Sequence, residues 1–178
     1  MLGEKLQQRY QIFAILGRGI FATVVRARDL QQNGREVAIK IARRQETMYK
    51  AGMKEISILQ RLSEADPDNK MFIVHFFTHF EHRGHLCMVF ESLGLNQSEI
   101  VKRFGKDVGL NLQAVKTYTK QMLLALALLR EKQFVHADIK PDNILVNEAK
   151  TIAKLADFGS ASTTSEMEIT PYLVSRFY

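Results

Sequence analysis

The sequence predicts an α+β fold, and three observations point to it. Five short segments rich in β-branched and aromatic residues fill the first half of the chain. One stretch among them has helical periodicity, and the second half contains a long apolar helix. At 178 residues and 46% hydrophobic content, the chain has the size of one domain and enough apolar side chain to form a core.

The first predicted strands are Tyr10 to Leu16 and Ala22 to Ala27, the latter with Thr23, Val24 and Val25 at its heart. Between them lies Gly17-Arg18-Gly19-Ile20-Phe21. Glycines in a turn after a strand let backbone N–H groups approach phosphates, because no side chain blocks the way. A dinucleotide site would need a helix directly after the glycines. Here β-branched residues follow, and Asn33-Gly34, a strong hairpin signal, leads into a third strand over Glu36 to Ile41.

That strand contains Val37-Ala38-Ile39-Lys40, an alternating run ending in a lysine whose ordinary role would be to snorkel. Met48 to Leu62 reads as a helix: Ile56, Leu59 and Leu62 form its stripe, Glu55 lies within it, and Ser63 with Asp66-Pro67-Asp68 ends it. Met71 to Phe80 and His85 to Phe90 complete a five-stranded antiparallel sheet, joined at His82-Arg83-Gly84. His75, His79, His82 and His85 fall on these strands without a cysteine pair or carboxylate cluster to complete a tetrahedron, so they read as solvated or cross-strand histidines. Gln97 to Phe104 is a short polar helix, and Gly105 and Gly109 punctuate the loop after it. In Leu112 to Lys132, Val115, Tyr118, Met122, Ala125 and Leu129 share one face, while Leu123, Leu124, Leu126 and Leu128 widen it. A helix apolar on more than one side must be wrapped by other elements.

The net charge is +6, but basic and acidic residues are interspersed, with short basic clusters only at Arg43-Arg44 and Lys102-Arg103. Without an aromatic-basic stripe this disfavours direct nucleic-acid binding; an acidic ligand such as a nucleotide accounts for the charge as well. Cys87 is the single cysteine, so no intrachain disulfide can form and a reducing intracellular compartment is the default. The N-terminus has no apolar signal core, and the longest apolar run, Met122 to Leu129, is too short to span a bilayer, so no membrane association is expected.

Chemistry concentrates between Phe134 and Gly159, where Phe-Val-His-Ala-Asp-Ile-Lys-Pro-Asp-Asn-Ile-Leu-Val is followed by Leu-Ala-Asp-Phe-Gly. Carboxylates, a lysine and an asparagine between short apolar runs suit a phosphate-and-metal site. In order and spacing, Asp138, Lys140, Asn143 and Asp157 resemble the catalytic loop and metal-binding Asp-Phe-Gly of the protein kinases.

That resemblance implies a domain with a sheet lobe over residues 10–91, then a hinge, the start of a helical lobe, a catalytic loop and an activation segment over 92–178. It implies ATP and Mg²⁺ as cofactors, with Asn143 and Asp157 holding the metal, Asp138 orienting the substrate hydroxyl, and Lys140 neutralising the γ-phosphate. Lys40 would bind the α- and β-phosphates, held by an ion pair to Glu55. Leu16, Gly17, Arg18, Gly19, Ala22, Val24, Ala38, Phe90, Glu91, Leu93 and Leu145 would complete the nucleotide site, with Phe90 as the bulky gatekeeper and the backbone of Glu91 and Leu93 reading the adenine edge. Ala22 stands where the family pattern has its third glycine. A lysine two residues after the catalytic aspartate resembles the serine/threonine rather than the tyrosine kinases, which implies Ser/Thr acceptors on a protein substrate.

The stretch from His136 to Asn143 and the tail Thr170-Pro171-Tyr172-Leu173-Val174-Ser175-Arg176-Phe177-Tyr178 are similar to the CMGC group, above all its spliceosome-associated pre-mRNA-processing kinases. Splicing factors as substrates and a nuclear location follow from that resemblance. Tyr172 matches the activating tyrosine of these kinases, and Arg176 is a cation able to pair with its phosphate. Ala137 stands where the family usually has an arginine that receives an activation-loop phosphate. The resemblance covers the first part of the family's domain, which continues with an Ala-Pro-Glu segment and further helices. The alternative reading is therefore a truncated, catalytically impaired nucleotide- or partner-binding fragment of such a kinase.

Overall fold

A computed structural model describes residues 1–106 and 108–167. The chain divides into two compact units, Met1–Ser57 with His75–Ser92, and Ile58–Val74 with Leu93–Tyr178.

The first unit is built on a six-stranded antiparallel sheet. Its strands are β1 (Lys5–Leu6), β2 (Tyr10–Arg18), β3 (Ala22–Asp29), β4 (Arg35–Ala42), β5 (Phe76–His82) and β6 (His85–Glu91), in the spatial order β1-β2-β3-β4-β6-β5. Strand alternation sends Val25 and Ala27, Val37, Ile39 and Ile41, and Cys87 and Val89 to one face, where they form the core with Leu6, Tyr10, Ile12 and Phe80. Tyr10 stacks on Phe80 at a centroid distance of 5.3 Å. At the edge of this core Arg9 grips Asp29 with two hydrogen bonds of 2.8 and 2.7 Å, and Asp29 also accepts from the Gln31 amide. Both hairpins form: Arg83 and Gly84, with φ of 51° and 76°, make the two-residue turn between paired His82 and His85, while Asn33 and Gly34, with φ of 52° and 74°, end a longer loop between paired Asp29 and Arg35.

The sheet differs from the sequence expectation in two places. A sixth strand, β1, pairs Lys5 with Gln11 and Leu6 with Tyr10; two residues are too short for any alternation to be read. The strand expected from Met71 begins only at Phe76. Phe72 has a φ of 57°, which breaks an extended run. The Val74 amide donates to the Leu155 carbonyl and the Leu155 amide to the Phe72 carbonyl, so this apolar stretch pairs within the second unit rather than with the sheet. Helix α1 (Glu46–Ala65) runs past Ser63 and stops before the Asp66-Pro67 breaker.

In the second unit, α2 (Gln97–Phe104) starts with a capping box between Asn96 and Glu99, and α3 (Leu112–Glu131) is capped by Asn111. Helix α3 buries Ala125, Leu128 and Leu129, while Leu123 on another side is 61% exposed. No helix among the described residues is long and apolar enough to cross a membrane. Two small ladders follow, β8 (Ile144–Val146) with β9 (Ala153–Leu155), and β7 (Phe134–Val135) with β10 (Ser162–Thr163), before the short α4 (Thr164–Met167). Gln121 of α3 ties down the first ladder by accepting from the Ala153 amide at 2.8 Å and donating to the Thr151 carbonyl at 3.1 Å.

Candidate active site

In the first unit the glycine turn joins β2 to β3 and is closed by the Gly19 amide donating to the Ala22 carbonyl at 2.9 Å. A Cβ at Gly17 would meet nothing within 4 Å, and one at Gly19 only the Ala22 carbonyl at 3.4 Å. Neither glycine has a positive φ, so what they contribute is an unobstructed backbone rather than a special conformation. A bulge between Ile15 and Gly17 breaks the alternation at Leu16, and Arg18 ends β2.

Register then decides which side chains share a face. Val24 pairs with Lys40, Lys40 with Met88, and Ala38 with Phe90. Directly paired residues point the same way, and so do residues two apart on one strand. Val24, Ala38, Lys40, Met88 and Phe90 therefore form one face, opposite the Val25, Ile39 and Val89 core. Helix α1 brings Glu55, 4% exposed, onto Lys40, whose ammonium donates to both carboxylate oxygens at 2.8 Å. The expected ion pair is formed. Glu91 ends this sheet and accepts from the His75 amide at 2.7 Å through its side chain.

The four strand histidines have varied surroundings. His85 contacts the Ala42 carbonyl through Nδ1 at 2.8 Å, His79 stacks with Phe76, His75 meets the edge of Phe77, and His82 Nε2 lies 3.9 Å from Glu4.

In the second unit the carboxylate and amide groups assemble around the β8–β9 ladder. Ile144 pairs with Leu155, and one step beyond, the Ala156 amide donates to the Asn143 carbonyl at 2.9 Å. Asn143 and the residues leading into Asp157 are thus neighbours at the open end of one hairpin. Asp157 has a left-handed backbone (φ 59°, ψ 78°), uncommon for a residue with a Cβ and of the kind retained at functional sites.

Asp138 is held from two directions. Lys140 Nζ lies 2.7 Å from its Oδ2, and Asn143 Nδ2 donates to that oxygen at 2.9 Å and to the Asp138 carbonyl at 2.8 Å. The hydrogen bond to Asp138 raises the Lys140 pKa, keeping its charge. With the Asn143 nitrogen committed to Asp138, its remaining donor atom is Oδ1, a hard oxygen. Together with the Asp157 carboxylate, that oxygen suits Mg²⁺, which takes few protein ligands and fills its shell with phosphate and water. Among the described residues no group of three or more His, Cys, Asp or Glu side chains could hold a metal by themselves.

Sequence reasoning gave His136 no role. It is 1% exposed; Nδ1 faces the Asp138 amide at 3.3 Å and Nε2 faces the Ala156 carbonyl at 2.9 Å. An acceptor at Nδ1 and a donor at Nε2 define a neutral imidazole, and burial lowers its pKa accordingly. Its ring also meets Phe158 edge-on at 4.9 Å, so one buried side chain joins the Asp138 segment to the Asp157 segment. The available signal was a histidine between apolar residues two positions before an aspartate. Ala137 takes a φ of 64°, and Leu93 and Leu145 lie in the second unit, Leu145 bridged to Asn96. Tyr172 and Arg176 fall outside the described residues.

The family model for the protein kinase domain matches residues 10–178. The serine/threonine-protein kinase prp4 of Schizosaccharomyces pombe is 54% identical over 178 residues, 100% of this chain and 37% of that protein. The serine/threonine-protein kinase prpf4B of Dictyostelium discoideum is 48% identical over 99% of this chain and 22% of its own length. The DYRK-family kinase pom1 of Schizosaccharomyces pombe is 38% identical over 100% of this chain and 16% of its own. The chain therefore spans well under half the length of these relatives.

Proposed function

Because this chain belongs to the protein kinase domain family, we propose that it transfers the γ-phosphate of ATP to serine and threonine hydroxyls of a protein substrate. The observation that carries the reading is the Asp138 carboxylate, with Lys140 at 2.7 Å and Asn143 at 2.9 Å on one oxygen. A carboxylate fixed in this way can orient a hydroxyl and receive its proton, a contribution worth about 10²–10⁴ in rate. Lys140 keeps a positive charge beside the transferring group, and losing one such charge stabiliser costs about 10²–10³. Asn143 Oδ1 and Asp157 would hold Mg²⁺, which neutralises phosphate charge when bound. Lys40, steadied by Glu55, would hold the α- and β-phosphates, with the Gly17–Gly19 backbone and the face of Val24, Ala38 and Phe90 against the nucleotide.

The Ser/Thr preference rests on Lys140, two residues after Asp138. Splicing factors as substrates and a nuclear site of action rest on the likeness of residues 136–143 and 170–178 to the pre-mRNA-processing kinases. A phosphotransfer assay on the full-length protein, with Mg·ATP and a serine-containing protein acceptor, tests the activity. Wild type should label the acceptor and Asp138→Asn should lose at least about a hundredfold; equal signals would reject the assignment.

A further inference from the structure

Helix α1 carries a glycine in its interior, Gly52, one turn before Glu55. Glycine there costs about 0.5–1 kcal/mol of helix stability relative to alanine. Its φ is not positive, so the backbone does not require it. Space does. A Cβ built at Gly52 would lie 2.6 Å from Leu86 Cδ2 and 3.9 Å from Met88 Cε. Carbon atoms in contact sit about 3.5–4.0 Å apart, so an alanine would have to push helix and strand apart by about 1 Å unless Leu86 could turn aside. Leu86 is 2% exposed and Met88 1%, in a packed interior with little room for a rotamer change.

Both contacts lie on β6, and Met88 is the residue paired with Lys40. Gly52 and Glu55 are both buried, on the same stripe of α1. The depth at which the helix seats on Leu86 therefore sets where Glu55 meets Lys40, and a hydrogen bond of 2.8 Å is lost by about 3.5 Å. We propose that Gly52 is a positioning residue: its missing side chain lets α1 approach β6 closely enough for Glu55 to hold the Lys40 ammonium. The proposal rests on the kinase reading for its consequence in catalysis, but not for its geometry.

The test compares Gly52→Ala, Leu86→Val and the double variant in the full-length protein. Leu86→Val removes the δ-methyl that clashes and suits a strand. The first readout is the acylation rate of Lys40, followed by mass spectrometry, which reports the ion pair whether or not nucleotide is bound. Gly52→Ala should raise that rate toward the value of Glu55→Gln, and the double variant should return it toward wild type. The second readout is kcat/KM for ATP, expected to fall by about 10- to 100-fold in Gly52→Ala, as for a displacement near 1 Å, and to recover in the double variant. An unchanged Lys40 rate in a Gly52→Ala protein that melts higher would overturn the proposal, since that is what a mere gain in helix propensity would give. Failure of wild type to use ATP would instead overturn the kinase reading and leave the labelling result to judge Gly52.

Discussion

Asn143 donates its side-chain nitrogen to both the carbonyl and the carboxylate of Asp138, at 2.8 and 2.9 Å. If Asp138 is the proposed base and Asn143 Oδ1 a proposed ligand of Mg²⁺, one amide would aim the first and hold the second, and a variant at 143 should disturb both.

Asn143→Ala should lower kcat by at least about a hundredfold, the scale of losing a single charge-stabilising group. It should also raise the Mg²⁺ concentration needed for half-maximal rate. Asn143→Asp should recover metal affinity yet leave kcat low, because a second carboxylate beside Asp138 cannot donate the hydrogen bond. Magnesium titrations of steady-state rate check this, and full recovery of kcat in the Asn143→Asp variant would contradict the dual role.

Lys40 donates to both oxygens of Glu55, and the pair is largely withdrawn from water. Glu55→Gln keeps the shape and removes the charge, so it should raise KM for ATP more than it lowers the melting temperature. Glu55→Ala leaves a cation without its carboxylate and should cost about 3–5 kcal/mol where the site is fully buried, less here because the lysine side chain is 21% exposed. ATP titrations and urea unfolding separate the two effects; identical KM values for wild type and Glu55→Gln would remove Glu55 from nucleotide binding.

Asp29 and His136 both contribute to the acid limb of stability, in separate windows. The Arg9 hydrogen bonds hold the Asp29 carboxyl below the usual carboxylate range. Its contribution is therefore complete above the unfolded pKa of about 3.9 and is lost as pH falls through the folded value. Burial holds the His136 imidazole below its ordinary pKa, so the unfolded chain takes up a proton there first. That contribution is complete above about pH 6.5 and fades as pH falls toward the folded value. Asp29→Asn should cost about 1–3 kcal/mol at neutral pH, and its difference from wild type should shrink below about pH 4. Urea unfolding across the acid range measures this; a difference that stays constant to about one unit below the unfolded pKa would show that the Arg9 pair does not govern that window.

Much of this was legible because the chemistry lies in short motifs. Lys40, Glu55, Asp138, Asn143 and Asp157 stand out in the sequence because their order and spacing resemble the protein kinases, and the register of β5 and β6 follows from the two-residue turn at Arg83-Gly84. What escaped lies in relations that spacing does not encode. Strand β1 is too short to alternate, and Phe72 abandons an extended run because its neighbours pair with Leu155 rather than with the sheet. Gly52 reads in sequence only as a poor helix former; its use depends on Leu86, a strand residue far along the chain. His136 reads as one more residue of a motif until both of its ring nitrogens are accounted for.

Gln121 gives the last prediction. It is a polar residue in a mostly apolar helix, 8% exposed, and its carboxamide accepts from the Ala153 amide and donates to the Thr151 carbonyl. Strand β9, which those bonds tether, runs directly into Ala156 and Asp157. Gln121→Leu would fill similar volume and suit the helix, but would leave the buried Ala153 amide without an acceptor, at a cost of about 1–3 kcal/mol. If the tether only stabilises, the variant should melt earlier and keep its Mg²⁺ dependence at temperatures where it remains folded. If it also places Asp157, the magnesium needed for half-maximal rate should rise at those same temperatures, and rise less in Gln121→Glu, which still accepts from Ala153 but as a carboxylate cannot donate to the Thr151 carbonyl. We expect the second pattern, because the first residue after the ladder, Ala156, donates its amide to the Asn143 carbonyl, and a shift of β9 would pull the two expected metal-holding residues apart. Steady-state magnesium titrations below the melting transition decide between them.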